Sequence, residues 1–590
     1  MKTLKNKLGA AALVFLAAFL AHANSITPSF HWEDETIVSE NVHIRTLKNI
    51  PHFFRPGYVN VYESGQGNRY RPLRTVTLAL DYAFWKSDPR GYHLTNVLLH
   101  AAVAALVWLL CLLVSGSPFA ALAAGLLFAL HPVHVESIAW VKNRSDILCS
   151  LFYLSALSAF AAFLGARSRA VYALSLLLLP FAFLAKEMAL TFPFAAALLL
   201  LFVNKREGER LARGWQWLVP YFALLAGYLL FREKAMIGGA DYPGGPAAHL
   251  LFILNTAGEY LRILVWPAFL SIERQVPTGA GAALAALAAA AAVPALYRLR
   301  GREGAFWLLL FFFLCVPVLN LEYIPGRPLA EQRMYLPSAA FCAFAAWALA
   351  AAREKGGRAA LAAGALLAVM ALALGARSVM RNRDWASEAL LWEKTAAASP
   401  TPRVYNNLAV VLSAQKRHTE AYENALEAIK LDPSYVDAYN TLGAVCYDLG
   451  LYDRSIGYFE KALFYSDGKA YKSLINLAAL YALKGRRDEA LAAYREALRM
   501  APWVDAAHYN LGLLLASLGR GDEALAHFRE AAALNPYNAR TLRMTARLLS
   551  GRGDVGGAGQ AYRALLRLEP ADMEAAAYLA KVDKSTPAGP

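Results

Sequence analysis

From residue 94 to residue 377 the chain runs in long apolar blocks separated by short polar stretches. The blocks fall at 94–115, 118–134, 147–166, 170–185, 188–203, 215–231, 281–297, 305–320, 334–352 and 359–377. A helix that crosses a bilayer needs ~20 mainly apolar residues, and shorter runs cross with help from their flanks. One further run, Leu8–Ala23, follows Lys2, Lys5 and Lys7. A secretory signal has the same layout. A retained first helix is expected instead, because an acidic motif follows directly and needs an anchor. Beyond residue 400 the blocks stop and a different periodicity takes over.

That second periodicity is read on one small residue per unit: Ala409, Gly443, Ala478, Gly512 and Ala546, in steps of 34, 35, 34 and 34 residues. Twelve residues after each stands Ala421, Ser455, Ala490, Ala524 or Ala558. Sixteen after stands Ala425, Phe459, Tyr494, Phe528 or Tyr562, and twenty-four after stands Pro433, Asp467, Pro502, Pro536 or Pro570. Small residues let paired helices approach closely, an aromatic fills the gap between pairs, and proline ends the second helix. This is the tetratricopeptide repeat pattern. Five repeats with a closing helix over 572–583 are expected in a 401–590 domain. Residues 1–380 form a polytopic membrane domain with a large first outer loop, 25–92, and 381–400 a linker helix. The fold class expected is all-α.

Composition sharpens this division. The chain is 57% hydrophobic with mean hydropathy +0.34, too apolar for an ordinary soluble protein. Its net charge of +15 invites a nucleic-acid reading. Much of that charge lies in loops between apolar blocks, at Arg167 and Arg169, at Lys205, Arg206, Arg210 and Arg213, at Arg298, Arg300 and Arg302, and at Arg353, Lys355 and Arg358. Cytoplasmic loops of membrane proteins carry such an excess, so no nucleic-acid partner is expected. Keeping these clusters inside gives about eleven crossings, provided that 250–270 lies along the interface or re-enters. The repeats then emerge on the extracytoplasmic side. The five cysteines offer no zinc spacing, and a repeat domain with the single thiol Cys446 has no internal disulfide.

On that topology the candidate chemistry collects on the outer side. The first outer loop opens with Trp32-Glu33-Asp34-Glu35, where a carboxylate could act as a base toward an acceptor hydroxyl or as a metal ligand. Arg71 lies in Tyr70-Arg71-Pro72-Leu73. His93, Asn96 and His100 share one helix face and could line a polar pocket. His131-Pro132-Val133-His134-Val135-Glu136 follows, then Lys142, Arg144 and Asp146, then Lys186-Glu187, then Glu322, Arg327, Glu331 and Arg333. His131, His134 and Glu136 could pass for a metal site, but no metal is expected there because proline separates the ligands. Arg144, Lys186 and Arg333 suggest a lipid-phosphate site, since guanidinium and ammonium groups bind phosphate. The alternative for each is a cation snorkelling at a helix end.

Taken in order, these strings resemble the transmembrane and tetratricopeptide repeat-containing proteins. The resemblance rests on Trp32-Glu33-Asp34, Glu40-Asn41, Tyr70 to Leu73, Tyr92-His93-Leu94 with Asn96 and His100, His131 to Glu136 through Arg144, Lys186-Glu187, Asn320-Leu321 and Ala330 to Ser338. It implies a GT-C glycosyltransferase fold and sugar transfer from a polyprenyl-phosphate carrier to a protein hydroxyl on the outer face. It also implies an acidic pair as the active site, without an obligatory metal or cofactor. The pair aligns with Glu33 and Asp34, where the family usually has two aspartates. The family's arginine position is Gln332 here, with Arg333 one residue on.

Two functions are therefore open. One is a glycosyltransferase of a bacterial inner membrane, with Glu33 and Asp34 as catalytic acids. Its substrate would be held by Arg71, His93, Asn96, His131, His134, Glu136, Arg144, Lys186, Glu187 and Arg333. Its partners are a membrane lipid donor and a protein acceptor recruited by the repeats. The other is a non-catalytic membrane scaffold whose repeats gather partners for envelope or secretion assembly.

Overall fold

The computed structural model describes residues 2–27, 29–55, 70–202, 214–232, 245–300, 302–319 and 329–585. Among these the chain is helical throughout, and its one β pairing is an isolated antiparallel bridge between Arg274 and Leu329. It divides into two compact units, Met1–Ser399 and Pro400–Pro590.

The first unit is a bundle of apolar helices. Among the described residues four are long and apolar enough to cross a membrane: Lys7–Ser25, Pro89–Ser115, Val141–Ala166 and Gly357–Asp384. Pro118–Leu130 and Pro132–Ala139 together make a fifth candidate, bent by 47°. The bend falls at His131-Pro132, where proline removes a backbone donor and disfavours helix before it. Shorter apolar helices run over Arg169–Ala185, Glu187–Phe202, Trp215–Phe231 and Ala280–Pro294. Of the segment expected to lie flat or re-enter over 250–270, residues 250–265 belong to a continuous helix, Gly245–Val265, packed against Ala280–Arg300. Several basic clusters and outer residues that fixed the expected topology, Lys205 to Arg213, Glu322 and Arg327 among them, lie outside the described residues, as do Asn320 and Leu321.

The first helix, Lys2–His22, is built into this bundle. Val14 and Ala18 are fully buried, and the helix packs on Pro89–Ser115, Pro118–Leu130 and Gly357–Asp384. Gly125 makes the closest approach: a Cβ there would meet Val14 and the Cβ of Trp108 at 2.9 Å. Asn382 locks the end of the helix by donating to the Ala21 carbonyl at 3.0 Å.

The stretch after the first helix has a small core of its own. Ile37, Val38, Ile44, Phe53, Leu78, Ala79, Tyr92 and Val141 are buried together. This core fastens the acidic loop onto the Pro72–Trp85 helix, the start of the Pro89–Ser115 helix and the 141–143 turn. The expected 381–400 linker helix is instead two pieces. Gly357–Asp384 ends where Trp385 turns into the interior, and Glu388–Ala398 restarts with Ser387 accepting the Leu390 N–H at 3.3 Å.

The second unit consists of five helix pairs, from Pro402–Ala414 with His418–Leu431 to Ala539–Gly551 with Val555–Leu568, followed by Met573–Ser585. The periodic small and aromatic positions interlock as their chemistry requires. A Cβ on Gly443 would meet the Phe459 ring at 2.6 Å, and one on Gly512 the Phe528 ring at 2.8 Å. In the second repeat, where Asp467 replaces proline, the helix ends differently. Asp467 and Gly468 both take positive φ, 51° and 74°, and the Gly468 N–H closes the turn on the Leu463 carbonyl.

Candidate active site

The acidic pair sits on a tight turn in which the Asp34 N–H returns to the His31 carbonyl at 3.0 Å. Trp32 takes a positive φ of 52° there, a strained choice for an aromatic residue. Its indole stacks on Trp140, with centroids 4.8 Å apart and 7° between planes, and meets Trp392 edge-on at 5.2 Å. The Trp32 backbone also hydrogen-bonds Glu388, so the helix after the bundle helps to fix the turn.

The two neighbouring acids have opposite surroundings. Asp34 is fully buried. Its Oδ1 accepts the Lys142 N–H at 2.8 Å, and its Oδ2 accepts the N–H groups of Val141 at 3.1 Å and His31 at 3.4 Å. Burial outweighs these bonds and pushes its carboxyl up to about 7, with the neighbouring charge of Glu33 adding to the rise. The Glu33 side chain is 41% exposed and pairs with the Lys142 ammonium. Lys142 lies over the Trp140 ring, 5.7 Å from its centroid. One acid is thus a fixture of the loop, and the other faces the space in front of it.

A second charged cluster joins residues from three elements. Arg71 donates to both oxygens of Glu187 at 3.2 Å. The Lys186 ammonium meets Asp146 at 2.5 Å, with both side chains nearly buried. Asp146 also feels the charges of Arg71 and Glu187. The sequence reading brought Arg71, Lys186 and Glu187 forward; Asp146, in the first turn of Arg144–Ala166, ties them to the helix that follows the Lys142 turn.

Several candidates are placed otherwise. Arg144, expected to hold a donor phosphate, is fully buried and already bound: to Asp81 at 2.6 Å, to the Asn96 side-chain Oδ1 at 2.7 Å and to the Tyr92 backbone carbonyl at 2.9 Å. Asn96, expected to meet substrate, is buried between that guanidinium and the Ile138 carbonyl, to which it donates at 3.0 Å. His93 faces Thr27 at 3.2 Å and the Ser29 carbonyl at 3.1 Å, not an open pocket. His131 meets the Leu264 carbonyl at 3.0 Å, and His134 meets the Ser338 hydroxyl at 2.8 Å. Glu136, buried, accepts the Gln332 N–H at 3.1 Å. These six groups are bonded inside the protein, which argues against direct substrate contact for them. Arg333 is half-buried beside Tyr260. Among the described residues no group of three or more metal-ligating side chains comes together.

Three features escaped the sequence reading. Asp81, the partner of Arg144, was not singled out. Its place directly after Leu78-Ala79-Leu80 was a signal, since a carboxylate in an apolar run needs a buried cation. The tryptophans 140, 385 and 392 that frame the acidic turn carry no motif. Lys142 was seen only as a neighbour of Arg144.

The tetratricopeptide repeat family matches residues 402–435, 421–471 and 476–539. Over most of its length the chain is similar to the protein O-mannosyl-transferase Tmtc1 of Drosophila melanogaster. They are 26% identical over 534 residues, covering 72% of this chain and 62% of the relative. It is 24% identical to the protein O-mannosyl-transferase TMTC3 of Mus musculus over 543 residues, covering 81% and 59%. A shorter match to the protein O-mannosyl-transferase TMTC2 of Homo sapiens reaches 35% over 150 residues, covering 25% and 18%. These matches support the resemblance to the transmembrane and tetratricopeptide repeat-containing proteins. It spans about three-fifths of the length of the relatives that it matches most extensively. Among solved structures it is similar to YrrB, a tetratricopeptide repeat protein, with 22% identity, 34% of this chain and 100% of that chain covered, and a TM-score of 0.26.

Proposed function

We propose that this chain is a membrane glycosyltransferase that moves a sugar from a polyprenyl-phosphate carrier to a protein hydroxyl. The observation that carries this reading is the asymmetric acidic pair: a half-exposed Glu33 held in place by a buried Asp34, in a family whose named members are protein O-mannosyl-transferases. Glu33 takes the acceptor proton as the hydroxyl oxygen attacks the anomeric carbon. The carbon–oxygen bond to phosphate breaks, and polyprenyl phosphate leaves with the bonding electrons. Asp34 is a positioning residue. Phosphate is a good leaving group at neutral pH, so the reaction needs no acid on that side. The ion-paired cluster of Arg71, Lys186, Asp146 and Glu187 braces the elements that surround the substrate. The repeats hold an extended acceptor near the membrane.

The scaffold reading draws support from Arg144, whose burial removes one expected phosphate ligand. One assay separates the two. Purified full-length protein in lipid vesicles, given polyprenyl-phosphate mannose or glucose and periplasmic acceptor proteins, is expected to yield acceptors heavier by one hexose in intact-mass spectra. Folded protein that neither consumes either donor nor labels any acceptor would leave the scaffold.

The same proposal places the protein in a bacterial inner membrane with its repeats outside. Periplasm-active reporters test this side by side. One fused after Arg381 is expected to be active and one at Arg210, outside the described residues, to be silent. The reverse at either site overturns the arrangement.

A further inference from the structure

We propose that Lys142 is the ligand of the donor's phosphate and that it changes partners during the reaction: it pairs with Glu33 in the resting enzyme and with the lipid phosphate once the donor is bound. This rests on the glycosyltransferase reading above and assigns a residue to it that the family's motifs do not mark in this sequence.

Four ion-paired cations around the acidic turn and the charged cluster differ in exposure. The Arg144 side chain is 0% exposed, and its partner Asp81 is 8% exposed. The Lys186 side chain is 11% exposed, and its partner Asp146 is 5% exposed. Drawing either cation toward a ligand would strand a buried carboxylate, which is costly. Arg71 is 8% exposed and bound to both oxygens of Glu187. Glu187 itself is 32% exposed, but Lys142 is the most exposed of these cations and its partner the most exposed of these carboxylates. Its side chain is 19% exposed, and the carboxylate it would leave, Glu33, is 41% exposed and can take water in its place. An ammonium on a flexible four-carbon stem is also the cation best suited to swing between two anions.

The placement gives the exchange a purpose. The Lys142 backbone N–H is bonded to Asp34 at 2.8 Å, so the root of the side chain stays fixed while its end moves. A carboxylate that accepts from an ammonium has less lone-pair density to offer an acceptor hydroxyl. When the donor's phosphate takes the ammonium, Glu33 is freed beside the anomeric carbon, and the leaving group gains its counter-charge as the carbon–oxygen bond breaks. The proton passes from the acceptor hydroxyl to Glu33, and the electron pair leaves with the phosphate that Lys142 now holds. The base is thereby held back until a donor is present.

The experiment compares parent, K142M, K142R and E33Q as full-length protein in vesicles. Polyprenyl phosphate binding is measured directly, and the donor KM and kcat are measured by transfer. Losing a charge-assisted bond to phosphate is expected to weaken polyprenyl phosphate binding by K142M ~10-fold or more and to raise the donor KM similarly. K142R, which keeps the charge, is expected to stay within ~3-fold of the parent. E33Q is expected to lose kcat yet bind polyprenyl phosphate at least as tightly as the parent, because its lysine is already released. Inorganic phosphate at the same concentration should compete poorly; equal competition would overturn the lipid assignment in favour of a free-anion site. K142M that binds like the parent, or K142R as weak as K142M, overturns the proposal. If the parent binds polyprenyl phosphate in a Lys142-dependent way and transfers nothing, the glycosyltransferase reading fails and the lysine site stands.

Discussion

Glu33→Gln is expected to reduce sugar transfer ~100-fold or more, the usual scale for losing a general base, while the thermal transition of the protein stays at the parent's midpoint. The amide keeps the shape of the side chain and removes its proton affinity, and the residue is exposed enough that no packed contact depends on it. Asp34→Asn is expected to fail differently. Three backbone N–H groups converge on the two Asp34 oxygens, and an amide turns one of those acceptors into a donor. The turn that carries Glu33 then shifts, so activity falls together with the stability of the loop. The sign of its pH dependence follows from burial. The Asp34 carboxyl is pushed up to about 7, so the stabilisation linked to its proton is complete at acid pH and is lost as pH rises through about 7. Asp34→Asn should flatten that dependence in a hydrogen-exchange or limited-proteolysis profile of residues 31–41. Transfer at the parent rate by Glu33→Gln would remove Glu33 from the chemistry.

The solenoid was legible because its restraints are local and repeated. Four of the five small residues are matched to an aromatic sixteen positions on, and Gly443 with Phe459 is that match made physical. Even the exception at Asp467 was visible as a missing proline and a 35-residue step. The apolar blocks gave the first unit its helices for a similar reason, although the 381–400 segment breaks at Trp385 because a buried indole outweighs local helix preference.

The site was legible only as a set of residues. Which acid faces outward depends on Asp34 meeting amides 107 and 108 positions away, a pairing with no sequence period. Arg144 invites a phosphate in a one-dimensional reading because its countercharge, Asp81, lies in another helix. Motif order identifies the neighbourhood; burial decides which of its charges remain available.

Arg144 carries the second large effect, and it is on stability. Its guanidinium is fully buried and bridges the Pro72–Trp85 helix through Asp81, the Pro89–Ser115 helix through Asn96 and Tyr92, and its own helix. Removing one partner of a buried ion pair leaves the other charge without compensation, at a cost of about 3–5 kcal/mol. Arg144→Met is therefore expected to lower the thermal midpoint and the yield of folded protein in detergent. Arg144→Lys should recover only part of the loss, because an ammonium does not reproduce the planar fork that reaches Asp81, Asn96 and Tyr92 together. Pairing Arg144→Met with Asp81→Leu should restore stability relative to the single change, since no buried charge is then stranded. In whatever folded fraction survives, the donor KM is expected to match the parent's. A stable Arg144→Met protein with a raised donor KM would return Arg144 to the phosphate and displace Lys142 from it.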